Sequence, residues 1–175
     1  MITDPKEITA WVRRNMNDCE ITQIHPDGTV DLTAPNDDDA NFPYEPTIIA
    51  NARLKNFRLP IKIGRCEGGL LIEAKALASL EGLPTVLEGP LHLMTPGLTT
   101  LRGCPREVQG WLNIEEHNLT SLEGLPSRIK DHIELMNKPD LGLLRLLLVE
   151  SLSEVEIIEE DYVLLRPVTD IINRY

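Results

Sequence analysis

The chain repeats one phrase three times at an interval of 21 residues, and this restricts its possible folds more than any other feature. Leu77-Ala-Ser-Leu80-Glu-Gly82-Leu83-Pro84 becomes Leu98-Thr-Thr-Leu101-Arg-Gly103-Cys104-Pro105, then Leu119-Thr-Ser-Leu122-Glu-Gly124-Leu125-Pro126. A small-residue turn follows each, then an alternating triplet: Leu91-His92-Leu93, Leu112-Asn113-Ile114 and Ile133-Glu134-Leu135. A fixed period in the twenties with aligned leucines predicts a solenoid. Such folds offer an extended surface to a partner far more often than they catalyse a reaction.

No single unit has enough apolar residues to bury them alone, so the units must stack. Stacking aligns Leu77/98/119, Leu80/101/122, Leu91/Leu112/Ile133, Leu93/Ile114/Leu135, Leu83/Cys104/Leu125 and Cys66/Leu87/Val108/Ile129. Gly82, Gly103 and Gly124, and likewise Gly68, Gly89 and Gly110, punctuate turns where a positive φ is expected. Asp131 takes the last position of the second column, and aspartate also visits the left-handed region. Cys66 and Cys104 stand in leucine columns and read as small buried hydrophobes. Upstream, Gly68, Leu70 and Ile72 fall on the grid, and Leu59 falls on the Leu80 column. About four units therefore run over 56–139, the first of them degenerate.

The flanks read differently. Ile8, Trp11, Val12 and Met16 have helical spacing over 5–16, and Thr3/Asp4, Pro5 and Glu7 form a helix start. Residues 20–34 alternate around Pro26-Asp27-Gly28, which predicts a hairpin. Residues 35–46 read as a polar loop. Asp37, Asp39 and Asn41 imitate the spacing of a calcium loop, but Phe42 and Ile48 occupy the positions that require Gly and Glu. Thr47–Ala50 reads as a short strand. Beyond Pro139 the period stops. A short helix over 141–149, a strand near 154–160 and a closing helix over 167–174 are expected. The expected fold is thus α/β: a leucine-rich-repeat solenoid with a curved parallel sheet. It forms one domain over 1–175, with an N-terminal helix–hairpin cap (1–55), the repeats (56–139) and a C-terminal helical cap (140–175).

Charge narrows the partner. The net charge is −11, which opposes a phosphate backbone and excludes direct nucleic-acid binding from the reading. Acid concentrates at 36–45 and 154–161. The N-terminus lacks the basic-then-apolar pattern of a secretion signal, and no apolar run is long enough to span a membrane. Three scattered cysteines make no disulfide framework, and no C-x-x-C or paired histidines offer zinc a site. The chain reads as cytoplasmic, with no membrane partner, no metal and no cofactor.

Leu119-Thr-Ser-Leu-Glu-Gly-Leu-Pro126 and Leu98-Thr-Thr-Leu-Arg-Gly-Cys-Pro-Arg-Glu-Val-Gln-Gly110 resemble the leucine-rich-repeat proteins encoded by bacteriophages. Asp27-Gly28-Thr-Val-Asp31 is similar to that group's opening hairpin, and Ile171-Ile-Asn-Arg-Tyr175 to its closing segment. The resemblance implies a fold, a viral origin and residence in the host cytoplasm, but no activity. The chain departs from the pattern in one column. Where leucine-rich repeats carry an asparagine ladder after the strand, it reads Lys75, Pro96, His117 and Lys138, so the backbone groups there need other partners.

Alternation within each strand sends the leucine columns inward and the intervening residues outward. The outward set is Leu71 and Glu73; His92 and Met94; Trp111, Asn113 and Glu115; His132, Glu134 and Met136. A solvated sheet would show threonine and charge here. A tryptophan, a leucine and two methionines instead suggest a protein-binding face. The bland reading, that these side chains pack under a terminal cap, stands beside it. No Ser or Cys nucleophile has a recognisable spacing to His25, His92 or His132, although His92 is placed to face Glu115 or Glu134 across strands. The expected protein is a non-enzyme that binds and modulates a host protein, one with a basic surface. Two alternatives are an acidic nucleic-acid mimic that inhibits a host defence complex, of the anti-CRISPR type, and a structural or assembly component of the phage.

Overall fold

Each repeated phrase closes one coil of a β-solenoid. The computed structural model describes residues 1–33, 47–49, 58–115, 117–136, 152–159 and 162–167. The elements are α1 (Pro5–Asn15), β1 (Met16–Asn17), β2 (Glu20–Ile24), β3 (Thr29–Thr33), β4 (Thr47–Ile49), β5 (Lys62–Glu67), β6 (Leu70–Glu73), β7 (Val86–Leu87), β8 (Leu91–Met94), β9 (Glu107–Val108), β10 (Leu112–Glu115), β11 (Arg128–Ile129), β12 (Ile133–Met136), β13 (Leu152–Glu159) and β14 (Tyr162–Pro167). The fold is mixed α/β, with parallel sheets wound as a solenoid of roughly three turns and one short helix. No described helix is long and apolar enough to cross a membrane.

The largest sheet has eight strands in the order β1-β4-β6-β8-β10-β12-β14-β13. From β4 to β12 every neighbouring pair is parallel. From β6 onward the register is that of the 21-residue grid: Leu70, Leu91, Leu112 and Ile133 align, as do Ile72, Leu93, Ile114 and Leu135. β4 stands off the grid, with Ile48 opposite Ile72. On the other side of each coil, β7, β9 and β11 form a small parallel sheet. The leucine columns fill the space between. Leu77, Leu80, Leu91, Leu93, Leu98, Leu101, Leu112, Ile114, Leu119, Leu122, Ile133 and Leu135 are all buried, as are Cys66, Leu87, Val108 and Ile129. Leu83, Cys104 and Leu125 are only partly covered against that core.

The phrase Leu-x-Gly turns the coil. The N–H groups of Leu83, Cys104 and Leu125 donate to the carbonyls of Leu80, Leu101 and Leu122. The glycine in the third position of each turn has a φ of 108°, 86° or 91° for Gly82, Gly103 and Gly124, as a type II turn requires. The second glycine column works by another cause. Gly68 has a positive φ, but Gly89 and Gly110 do not. A Cβ on Gly110 would lie 2.7 Å from the Pro90 backbone nitrogen, so these glycines let successive coils approach. Asp131 correspondingly has no left-handed φ, like Gly89 and Gly110 before it.

The departure from an asparagine ladder is met locally. His117 is buried and its Nδ1 accepts from the Leu119 N–H at 3.3 Å. Asn118 Nδ2 donates to the Pro96 carbonyl one coil back, at 2.7 Å. Burial pulls the His117 imidazole below the ordinary histidine range, and the nearby Met136 carbonyl partly opposes this. The cysteines follow the grid unevenly. The Cys66 thiol is buried and donates to the Gly69 carbonyl at 3.1 Å. Cys104 is only partly buried as a residue, and burial pushes its thiol well up. Cys19 is pushed up to about 11 by burial and then by Glu20.

At the N-terminal end, Asp4 starts α1 by accepting from the N–H groups of Lys6 and Glu7 at 2.9 and 3.1 Å, an N-cap with Pro5 behind it. Ile8 and Val12 bury the helix face. β2 and β3 make the expected hairpin, whose turn is set by Asp27 accepting from the Thr29 N–H and hydroxyl at 3.0 and 2.9 Å. β3 pairs in parallel with β5 in a sheet of its own, while β1 pairs antiparallel with β4 and forms one edge of the large sheet.

The C-terminal end departs from the helical cap. β14 pairs antiparallel with β12, and β13 pairs antiparallel with β14. An unpaired β12 would expose a row of backbone donors and acceptors, and an added strand satisfies them where a helix cannot. Pro167, expected in a helix's first turn, is the last residue of β14. The helices expected over 141–149 and beyond Pro167, the 35–46 loop and Lys138 lie outside the described residues.

Candidate functional site

The register builds the outer face of the large sheet from residues that do not repeat. One row runs Leu71, His92, Asn113, Glu134; the next runs Glu73, Met94, Glu115 and, one strand further, Met136. Trp111 and His132 lead into β10 and β12, where their carbonyls accept from the Leu91 and Leu112 N–H groups at 2.9 Å each. Neighbouring strands lie about 4.8 Å apart, so the ten side chains form one patch. Glu73 and Met136 are exposed. Leu71, His92, Met94, Trp111, Glu115, His132 and Glu134 are half-buried.

Asn113 is the exception. It points outward by alternation but retains 8% of its exposure. Its row neighbours His92 and Glu134, with Trp111 and Glu115 on its own strand, flank it on every side. Asn113 Nδ2 donates to Glu115 Oε1 at 2.9 Å. Glu115 can only accept, so this contact fixes the amide's orientation. Asn113 Oδ1 is thereby left buried with no hydrogen-bond partner.

The two histidines on this face are each held by carboxylates. His92 Nε2 lies 3.2 Å from Glu115 Oε1, close enough for an ion pair but out of line for a hydrogen bond. The His92 and Trp111 rings meet edge to face, with centroids 5.8 Å apart at 65°. His132 Nε2 lies 3.1 Å from Glu134 Oε1, and its Nδ1 lies 3.0 Å from Asp131 Oδ1. Of the pairings expected for His92, the structure makes the one with Glu115; Glu134 is taken by His132. Asp131 is the residue that sequence reasoning missed here. Its place in a glycine column drew attention to its backbone, whereas the spacing Asp131-His132-x-Glu134 already put two carboxylates beside one ring.

None of the ten side chains is a lysine or arginine. Elsewhere on the coils, acid is matched by base one coil away: Arg58 with Glu81 at 3.1 Å, Arg65 with Glu88 at 2.9 Å, Arg102 with Glu123 at 2.8 Å and Arg128 with Glu107 at 3.7 Å. The glutamates of the sheet face have only imidazole and amide partners in the described contacts. His25 lies elsewhere, bonded to Asp31 Oδ2 at 2.9 Å, while Asp31 Oδ1 accepts the Arg65 N–H at 2.9 Å; this pins β3 to β5. Among the described residues no group of three or more His, Cys, Asp or Glu side chains is placed to hold a metal ion. No protein-family model matches this chain, and no curated protein or solved structure matches it either.

Proposed function

We propose that the chain is a leucine-rich-repeat protein of the kind bacteriophages encode, and that it binds and modulates a host protein through the outer face of the large sheet. The 21-residue coils with stacked leucine columns support the first part, together with the resemblance of the repeated phrase to that group. On this reading α1 and the β2–β3 hairpin cap one end of the stack, and the C-terminal segment caps the other. The observation that carries the second part is the contrast in composition on one sheet. Inward positions repeat from coil to coil, whereas the outward ones bring together Trp111, Met94, Met136 and Leu71 around glutamates with no lysine or arginine among them. Trp and Met are enriched at interface centres, and a half-buried tryptophan offers apolar area with a hydrogen-bond donor.

The test is capture of host proteins on the immobilised chain, compared with Met94→Ala/Trp111→Ala and with Arg102→Ala as a control on another surface. A specific host protein should be retained by the unaltered chain and by Arg102→Ala, and lost with the double variant. Retention by all three would move the interface off the sheet face. Loss of capture with rising salt, in proportion to charge removed from 154–161 rather than from the face, would favour the nucleic-acid-mimic reading instead.

A further inference from the structure

We propose that the sheet face receives an arginine side chain of its partner, seated over Asn113 between Glu115 and Glu134 and against the Trp111 ring. This rests on the sheet-face reading above and names the chemistry that face selects. Three independent features converge. First, Asn113 Oδ1 is a buried acceptor with no donor. A polar atom left this way costs free energy that an arriving N–H recovers. Its orientation is not an arbitrary choice of amide flip, because Glu115 fixes Nδ2 on the opposite side.

Second, Glu115 and Glu134 flank Asn113, the one on its own strand and the other its register partner on the next. Their described contacts all fall on Oε1, and a carboxylate accepts on two oxygens. Each carboxylate is about three-quarters covered, with 27% of the side chain exposed. A cation arriving there is screened less than at an open surface. Third, Trp111 is half-buried beside Asn113 and meets the His92 ring edge to face, and an indole is a stacking partner for a flat cation.

Arginine fits this set better than lysine. The guanidinium is planar, carries five donors in a fixed fork and stacks on aromatic faces, and it is more weakly hydrated than an ammonium. The acceptors here are spread across two strands and an amide, which a fork can span and a point charge cannot. Met94 and Met136 border the site and can pack along the aliphatic stem. Asn113 is flanked by side chains of the same sheet face, and rotamer changes of interface side chains are the common adjustment on binding.

The probe is Nα-acetyl-arginine amide, titrated into the full isotope-labelled chain and followed at the Trp111 indole N–H and the Asn113 side-chain amide. Nα-acetyl-citrulline amide, which has nearly the same shape without charge, and Nα-acetyl-lysine amide are the controls. Saturable shifts confined to Trp111, Asn113 and their neighbours are expected with arginine. Citrulline should bind at least about tenfold more weakly, and Glu134→Gln should weaken arginine by about tenfold while the rest of the spectrum is unchanged. The proposal is overturned by equal binding of citrulline, by equal binding of lysine, or by shifts scattered over acidic residues elsewhere. If arginine fails while the Met94→Ala/Trp111→Ala variant still loses the host protein, the arginine assignment falls and the sheet-face reading stands. If arginine binds as expected while that variant keeps its partner, the sheet-face reading falls, and with it the assignment of the arginine to that partner.

Discussion

The two faces of the large sheet obey different rules although the same four strands make both. On the inner face each coil copies the one before: Leu70, Leu91, Leu112 and Ile133 form one buried column and Ile72, Leu93, Ile114 and Leu135 another. On the outer face Leu71, His92, Asn113 and Glu134 share a row and no chemistry. A coil can stack on the next only if its inner residues fit a fixed spacing, so stacking enforces repetition there and leaves the outer face unconstrained. Repetition therefore marks what holds the fold. Its absence, on a face that carries an orphaned amide oxygen and carboxylates with only imidazole and amide partners, marks where the proposed partner would be read.

The largest way to break this comparison is to remove an inner residue. Leu112 is fully buried in the central coil, and Leu112→Ala should cost about 2–5 kcal/mol of unfolding free energy, measured from denaturant midpoints. A cost below that of outer-face substitutions would mean that the columns do not hold the stack. Next is the turn. Gly124 has a φ of 91°, and a Cβ there would press on the Leu101 carbonyl of the preceding coil. Gly124→Ala should cost about 1–3 kcal/mol by the same measurement, and an unchanged midpoint would show that the turn can relax.

A smaller effect tests the ladder column. Burial lowers the His117 pKa, so the folded state prefers the neutral ring more than the unfolded chain does. That contribution is complete above the unfolded histidine pKa, about 6.5, and is lost as the pH falls through the lower folded value. Stability should therefore drop more steeply on acidification in the unaltered chain than in His117→Asn. Equal pH slopes would show that the ring is not held neutral. The smallest effect belongs to the exposed charge pairs. Arg102→Ala removes the contact with Glu123 and should leave the denaturant midpoint nearly unchanged, because both groups are largely solvated. A larger loss would promote the charge ladder to a structural element.

How far the chain could be read follows the same division. The strands at 70–73, 91–94, 112–115 and 133–136, α1, the β2–β3 hairpin and β4 were all legible, because periodicity and turn chemistry act locally. The β14 strand was not. Tyr162-Val-Leu-Leu-Arg-Pro167 has a continuous apolar run with no alternation, and such a run does not separate strand from helix. The burial of Asn113 was not legible because alternation gives a direction, while coverage depends on the size of four neighbours on three strands. The charge ladder is legible too: Glu81, Arg102 and Glu123 share one column and alternate in sign, where the leucines, the glycine and the proline of the phrase around it hold fast or change only to another apolar residue.

The central claim is that the inner face holds the fold and the outer face serves a partner. It is tested most directly by Trp111→Ala, with thermal unfolding and affinity for the captured host protein measured on the same preparation. The account predicts a melting temperature nearly unchanged and an affinity loss of about 2 kcal/mol or more. A lowered melting temperature with undiminished affinity would contradict it, because Trp111 would then belong to the packing and the partner would be read elsewhere.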